Sequence, residues 1–168
     1  MATVYIGLGA NLNNPEQQIR DAIVALAQMP GCQLLALSSL YGSQPLGPQD
    51  QPDYLNAVAK LETQLQPLPL LDALQQQEQR QGRVRKRHWG ERNIDLDILL
   101  YDNLTLRSER LNLPHHEMHN RSFVLVPLAE ISPALQLPDG RCVSDITPQF
   151  EGQLQRLKSL SELLDNGQ

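Results

Sequence analysis

Apolar and polar positions alternate cleanly over residues 54–62. Leu55, Ala57, Ala59 and Leu61 face one way; Tyr54, Asn56, Val58, Lys60 and Glu62 face the other. A period of two predicts a strand with one side on the core. Residues 3–10, Thr-Val-Tyr-Ile-Gly-Leu-Gly-Ala, read as a buried strand, and Cys32 to Tyr41 as another. Between them the period lengthens. Asn14-Pro15-Glu16-Gln17 supplies Asn at the N-cap, Pro at the first helical position and Gln at the third, and Ile19, Ala22, Ile23 and Leu26 follow at helical spacing up to Met29-Pro30-Gly31. Pro67 opens a second helix, apolar at Leu70, Leu71 and Leu74. Gln75 and Glu78 continue the Leu71 side, and Gly82 stops it. A further strand runs through Ile94-Asp95-Leu96-Asp97-Ile98-Leu99-Leu100.

Beyond it, Tyr101-Asp102-Asn103-Leu104 predicts a hairpin turn, and residues 111–116 an extended stretch around Pro114. Arg121 to Ile131 is expected to be helical and residues 132–140 irregular. Residues 151–165 are expected to form a terminal amphipathic helix carrying Leu154, Leu157, Leu160, Leu163 and Leu164, followed by a frayed end. No repeat or long linker interrupts the chain, so residues 1–168 are read as one domain.

Two stretches break the periodicity. Residues 43–53 contain three prolines and a glycine and form a loop near the upper length for a bare connector. Residues 83–93, Arg-Val-Arg-Lys-Arg-His-Trp-Gly-Glu-Arg-Asn, hold almost nothing for a core. Six cations against one acid in residues 80–92 fit a lid over phosphate better than a solvated loop of mixed sign.

Charge sharpens that picture. The net charge is −5, yet residues 80–121 carry nine of the 14 cations against six acids and are +3, which leaves the remainder at −8. An acidic chain with one basic segment suits a small, strongly anionic ligand and argues against nucleic acid, which favours a domain-wide basic side. No apolar run approaches the ~20 residues of a membrane span, and the start of the chain goes straight into a strand pattern, so a cytoplasmic location is expected. Cys32 and Cys142 form no motif and are expected to be reduced.

In a strand, Asp95 and Asp97 share a side, with Cα atoms roughly 6.5–7 Å apart, and Ile94, Leu96, Ile98 and Leu100 share the other. Two such carboxylates repel unless something positive lies between them, either arginine or a divalent cation. Asp-x-Asp on a strand fits Mg²⁺, a hard ion that takes one or two carboxylates and completes its shell with phosphate and water oxygens. Arg92 or solvent is the plainer partner. Zinc competes through His115 and His119 at i, i+4, but Pro114 precedes them and no third ligand stands at motif spacing. Gly7-Leu8-Gly9 lacks the third glycine of a dinucleotide fingerprint and is read as close backbone approach in a central strand; a Walker A motif is absent. Tyr54 and Asn56 are either a cross-strand pair or a ring platform beside a hydrogen-bonding edge for a flat heterocycle.

His88-Trp89-Gly90-Glu91-Arg92-Asn93-Ile94-Asp95-Leu96-Asp97-Ile98-Leu99 resembles the signature of the 6-hydroxymethyl-7,8-dihydropterin pyrophosphokinases. The likeness covers roughly residues 3–150. It includes Tyr5 to Leu12, Pro45 to Asn56, Gln81 to Lys86, Leu113-Pro114-His115 through Asn120-Arg121, and Phe123. It implies an α+β, ferredoxin-like fold of helices on an antiparallel sheet, to which the C-terminal helix expected beyond about residue 150 is an addition outside the likeness. It implies transfer of pyrophosphate from MgATP to the hydroxymethyl group of the dihydropterin, with release of AMP. The partners expected are these small molecules, and the chain is expected to be a monomer. By the same likeness Asp95 and Asp97 hold two Mg²⁺ ions. Tyr54 and Phe123 sandwich the pterin, Asn56 bonds its edge, and Ser43, Pro45 and Leu46 complete that pocket. Gln75, Glu78, Arg85, Lys86, Trp89, Ile98, Arg110, Asn112, His115, His116 and Arg121 belong to the nucleotide side, and Arg83 and Arg92 join the phosphates. Asn112 and His116 stand where Thr and Tyr occur in familiar members. Two other classes remain beside this one: a two-metal nucleotidyl transferase or phosphohydrolase on the same aspartates, and a non-catalytic nucleotide-binding module.

Overall fold

Alternation along the first strand sorts its side chains to two sides of a sheet, and the rest of the chain packs accordingly. The computed structural model describes residues 1–43, 54–82, 93–115, 118, 121–150 and 152–166. Strand β1 (Ala2–Ala10) lies between β4 (Tyr54–Thr63) and β5 (Asp95–Tyr101), antiparallel to both. Strands β2 (Cys32–Leu37) and β3 (Leu40–Ser43) pair in turn with the far edge of β4, so the sheet runs β5-β1-β4-β3 and then β8 (Gln155–Lys158). The path strand, α1 (Pro15–Gln28), two strand segments, β4, α2 (Pro67–Arg80), β5 agrees with a ferredoxin-like arrangement. On one side, Val4, Ile6, Leu8, Ala57, Ala59, Leu61, Leu96 and Ile98 meet Ile19, Ile23 and Leu26 of α1 and Leu70 and Leu74 of α2 in one buried cluster. On the other, Tyr5, Val58, Leu99 and Leu100 lie under Val124, Leu125 and Leu128 of α3 (Ser122–Ile131).

Four features depart from the sequence reading. The single strand expected from Cys32 to Tyr41 is broken at Ser38-Ser39. Both serines are buried, and Ser38 replaces part of the ladder: its N–H donates to the Val58 carbonyl (2.9 Å), while the Val58 N–H donates to Ser38 Oγ (2.8 Å). Strand β5 carries an irregularity after Ile98: Ile98 faces Ile6, but Leu100 faces Tyr5. Leu99 is the extra residue, so Leu100 falls on the α3 side and not beside Leu96 and Ile98 as alternation predicts. Residues 101–104 do turn, with the Leu104 N–H on the Tyr101 carbonyl (3.0 Å). They do not make a hairpin of β5, because β6 (Leu106–Arg107) pairs with β7 (Asn112–Leu113).

The fourth concerns the end of the chain. The amphipathic helix expected over residues 151–165 is replaced by strand β8 on the open edge of β3 and a short helix α5 (Glu162–Asn166). Leu160 and Leu163 still reach the α1 side of the core, as an apolar stripe would, but the preceding residues satisfy their backbone on β3. Arg20 of α1 ties this segment down through Glu162 (2.7 Å), and Lys158 reaches Glu16 (3.1 Å). Helix α4 (Val143–Ile146) and a 3₁₀ turn over Thr147–Phe150 close the α3 side. Both cysteines are free thiols. Among the described residues no helix is long and apolar enough to cross a membrane.

Candidate active site

The register of three strands builds the site. Asn56 of β4, Gly9 of β1 and Asp95 of β5 stand opposite one another, and Val58, Gly7 and Asp97 form the next row. All six positions belong to the α3 side. Adjacent strands lie about 4.7–4.9 Å apart, so Asn56 and Asp95 stand about 9–10 Å apart across a glycine. Neither central residue raises a side chain between them. A Cβ on Gly9 would come 3.2 Å from Asn56 Oδ1, and one on Gly7 would meet the Leu99 side chain at 3.3 Å. The two glycines thus make a floor with a carboxylate-bearing wall on one side and a buried amide on the other. Tyr41 extends the Asn56 row on β3, and Tyr54 stands two residues before Asn56 on β4.

The aspartates share this side, as alternation predicts. Asp95 is half-buried and Asp97 exposed. They are a hard-oxygen donor pair, and among the described residues no three His, Cys, Asp or Glu gather into a fuller ligand set. Such a pair fits an ion that draws its remaining ligands from phosphate and water, which is the habit of Mg²⁺.

Helix α3 brings the next group. Arg121 caps its start, with its guanidinium carbon 5.4 Å from the centre of the half-buried Phe123 ring, and Phe123 packs against the α3-side cluster. The His115 N–H donates to the carbonyl of Leu99 (2.9 Å), so the irregularity in β5 also fixes the chain after β7 beside the aspartate strand. Asn112 lies half-buried in β7, paired with Arg107.

Other residues assigned to the nucleotide approach β5 from the α2 side. The Arg110 guanidinium is ion-paired with Asp72 and donates to Gln75 Oε1 (3.2 Å). Glu78 is 5% exposed, and its Oε2 accepts the Leu96 N–H (2.8 Å), the amide between the two aspartates. Glu78 therefore holds the aspartate strand from its open edge. Ile98 is 2% exposed and its side chain belongs to the α1-side core, so it has only backbone to offer a ligand. Ser43 ends β3, opposite Tyr54. Pro45, Leu46, Arg83, Arg85, Lys86, Trp89, Arg92 and His116, together with His119 of the zinc reading, lie outside the described residues.

Sequence reasoning missed Asp72 and Asn93. Asp72 could have been sought as an acidic partner one helical turn before Gln75. Asn93, 6% exposed, gave no signal in its immediate motif. At the rim, Tyr41 donates to Glu130 (2.8 Å), and burial, helped by that carboxylate, holds its phenol well above the ordinary range.

With this geometry in place, comparison with known proteins is informative. The sequence pattern of the family described as 7,8-dihydro-6-hydroxymethylpterin-pyrophosphokinase (HPPK) matches residues 5–133. A 2-amino-4-hydroxy-6-hydroxymethyldihydropteridine pyrophosphokinase of Haemophilus influenzae is 56% identical over 150 residues, covering 89% of this chain and 94% of that protein. The enzyme of the same name in Bacillus subtilis is 42% identical over 127 residues, 76% of each chain. Among solved structures, wild-type HPPK-DHPS of Plasmodium falciparum with pteroate superposes with a TM-score of 0.74 at 11% identity, over 92% of this chain. The present chain spans 47% of that longer one, and the likeness is one of fold.

Proposed function

The chain belongs to the 7,8-dihydro-6-hydroxymethylpterin-pyrophosphokinase family, and from that premise we propose that it moves the β,γ-diphosphate of MgATP to the hydroxymethyl group of 6-hydroxymethyl-7,8-dihydropterin, releasing AMP. The observation that carries this reading is the row Asn56–Gly9–Asp95. It sets an amide suited to a heterocycle's edge across a bare backbone floor from carboxylates suited to a metal–phosphate complex.

Asp95 and Asp97 would hold Mg²⁺, two ions in this reading, and the metal supplies neutralisation of the phosphate charge. The chain's own residues do the rest by position. Tyr54 and Phe123 offer ring faces for the pterin, Asn56 donates to and accepts from its edge, and Ser43, Pro45 and Leu46 close that pocket. Gln75, Glu78 and Arg110 on the α2 side, and His115 and Arg121 on the α3 side, flank the strand that carries the carboxylates. Arg85, Lys86, Trp89, Ile98, Asn112 and His116 complete the nucleotide side. Arg83 and Arg92 bind phosphate oxygens, for which the guanidinium fork is well shaped. Little covalent chemistry is asked of the protein: orientation of the hydroxymethyl oxygen at the β-phosphorus and electrostatic stabilisation suffice. The protein would do this as a monomer in the cytoplasm.

The test is incubation with MgATP, with and without the dihydropterin, following AMP. Pterin-dependent AMP supports the proposal. ATP hydrolysis indifferent to pterin would favour a phosphohydrolase, and binding of both without turnover a non-catalytic module.

A further inference from the structure

Asn93 sits two residues before Asp95, outside the strand, and is 6% exposed. A buried amide has two donors and one acceptor oxygen to place. Both donors are used: Nδ2 donates to the carbonyl of Gln81 (2.9 Å) and to that of Gly82. The oxygen accepts from Asn13 Nδ2 (2.7 Å). Asn93 thereby joins three parts of the chain far apart in sequence: the end of α2, the turn between β1 and α1, and the residue leading into the aspartate strand.

Each partner is itself fixed. Gly82 has φ +76°, a conformation that leaves its carbonyl turned back toward Asn93, and a Cβ there would lie 3.1 Å from Asn93 Nδ2. Asn13 has φ 54°, and its carbonyl accepts from Gln18 Nε2 (3.1 Å). The Gln81 side chain donates to the Gln18 carbonyl (2.9 Å) and to Gln18 Oε1 (3.0 Å), closing a ring of amides around Asn93. A strained asparagine, a left-handed glycine and a buried amide in mutual contact form more apparatus than ending one helix requires.

We propose that Asn93 is a positioning residue for the reaction. It sets where β5 begins, and hence where Asp95 and Asp97 stand relative to the phosphates, while touching no substrate. Glu78 holds the same strand at Leu96 and Asn93 holds it at its start, so the carboxylates lie on a segment pinned from two sides. The inference rests on the pyrophosphokinase reading.

Asn93→Asp separates this role from simple packing. It keeps the shape of the side chain but turns a donor pair into a carboxylate facing two carbonyls. Asn13→Ala removes the bond to Asn93 Oδ1 and adds the strain of alanine at φ 54°, so its effects are read against its own melting curve. Three quantities are read for each variant: the rate of AMP formation as a function of Mg²⁺, the KM for the pterin, and calorimetric binding of a non-hydrolysable Mg-nucleotide, with a melting curve beside them. We expect Asn93→Asp to lower kcat at least ~10-fold, to raise the Mg²⁺ needed for half-maximal rate and to weaken Mg-nucleotide binding. Pterin KM should stay within about two-fold, and Asn13→Ala should move the same quantities less. A variant with wild-type Mg²⁺ dependence and kcat overturns the proposal. So does one in which pterin KM and nucleotide binding deteriorate together in step with the melting temperature. If the wild-type protein itself forms no pterin-dependent AMP, the reading of function fails instead, and the calorimetric arm still reports on Asn93.

Discussion

The two sides of the sheet are built on different principles. Under α1 and α2 the paving is continuous: Ala2, Val4, Ile6, Leu8 and Ala10 of β1 share one buried cluster with Ala57, Ala59 and Leu61 of β4 and with residues of both helices. Under α3 the paving stops part-way. Tyr5, Val58, Leu99 and Leu100 are covered, but the next positions are Gly7, Gly9, Asn56, Asp95 and Asp97. The same three strands thus supply a core on one side and a polar floor on the other. A strand's two-residue period lets each side change without altering its opposite, since substitutions at odd positions of β1 leave the even ones in the core.

That separation predicts separable effects. The largest concerns Asp97→Ala. Turnover should fall by at least about 10²–10³-fold, the scale for loss of an electrostatic anchor at the reacting group, while the melting temperature stays close to wild type because Asp97 is exposed. An active Asp97→Ala enzyme breaks the assignment of the aspartate side. Leu61→Ala is the converse. Leu61 is fully buried in the α1-side cluster, so denaturant titration should show a loss of about 2–5 kcal/mol, with turnover per folded molecule preserved.

Gly9→Ala is smaller and sharper. The added methyl presses on Asn56 Oδ1 from 3.2 Å. Displacing one neutral hydrogen-bonding group is worth about 0.5–1.5 kcal/mol, so pterin KM should rise roughly 2- to 10-fold while nucleotide affinity holds. Equal losses of both would show that the floor is not partitioned as described.

The smallest effect lies at the C-terminal segment. Hydrogen bonds from Arg20, then Lys158, lower the Glu16 carboxyl below its ordinary value of 4.5, and a hydrogen bond from Arg20 lowers Glu162. Groups depressed on folding contribute stability above their unfolded pKa and lose it as pH falls through the folded value. Amide exchange in β8 and α5, corrected for intrinsic rate, should therefore quicken below about pH 4.5 before that of β1 does. Glu16 is half-buried and Glu162 exposed, and solvent screens both pairs, so the change is modest.

What the sequence disclosed follows the same division. β1, α1, β4 and α2 were legible because each pairs a clean period with punctuation by Pro or Gly. The break at Ser38-Ser39 was not, because a serine hydroxyl standing in for a ladder group leaves no trace in hydrophobic pattern. Nor was the irregularity at Leu99, since Leu99 and Leu100 are both apolar and either could take the core. Residues 155–164 misled for a different reason. Leucines at helical spacing signal burial of an apolar stripe, but the open edge of β3 offered the backbone a partner that no local propensity records. In the site, Asp95 and Asp97 followed from alternation and Tyr54 with Asn56 from theirs. Their meeting across Gly9 is long-range register, and the roles of Glu78 and Asn93 depend on side chains reaching backbone groups 11 to 18 residues away.

The most direct test of the two-sided account is amide chemical-shift mapping of the protein on addition of Mg²⁺ with a non-hydrolysable ATP analogue, then of the dihydropterin. The account predicts that nucleotide perturbs Asp95, Leu96, Asp97 and His115, that pterin perturbs Tyr54, Asn56 and Gly9, and that Ile19, Ile23 and Leu26 of α1 stay still. Perturbations clustered along α1 or on β8, with the Gly9 row unmoved, would contradict it.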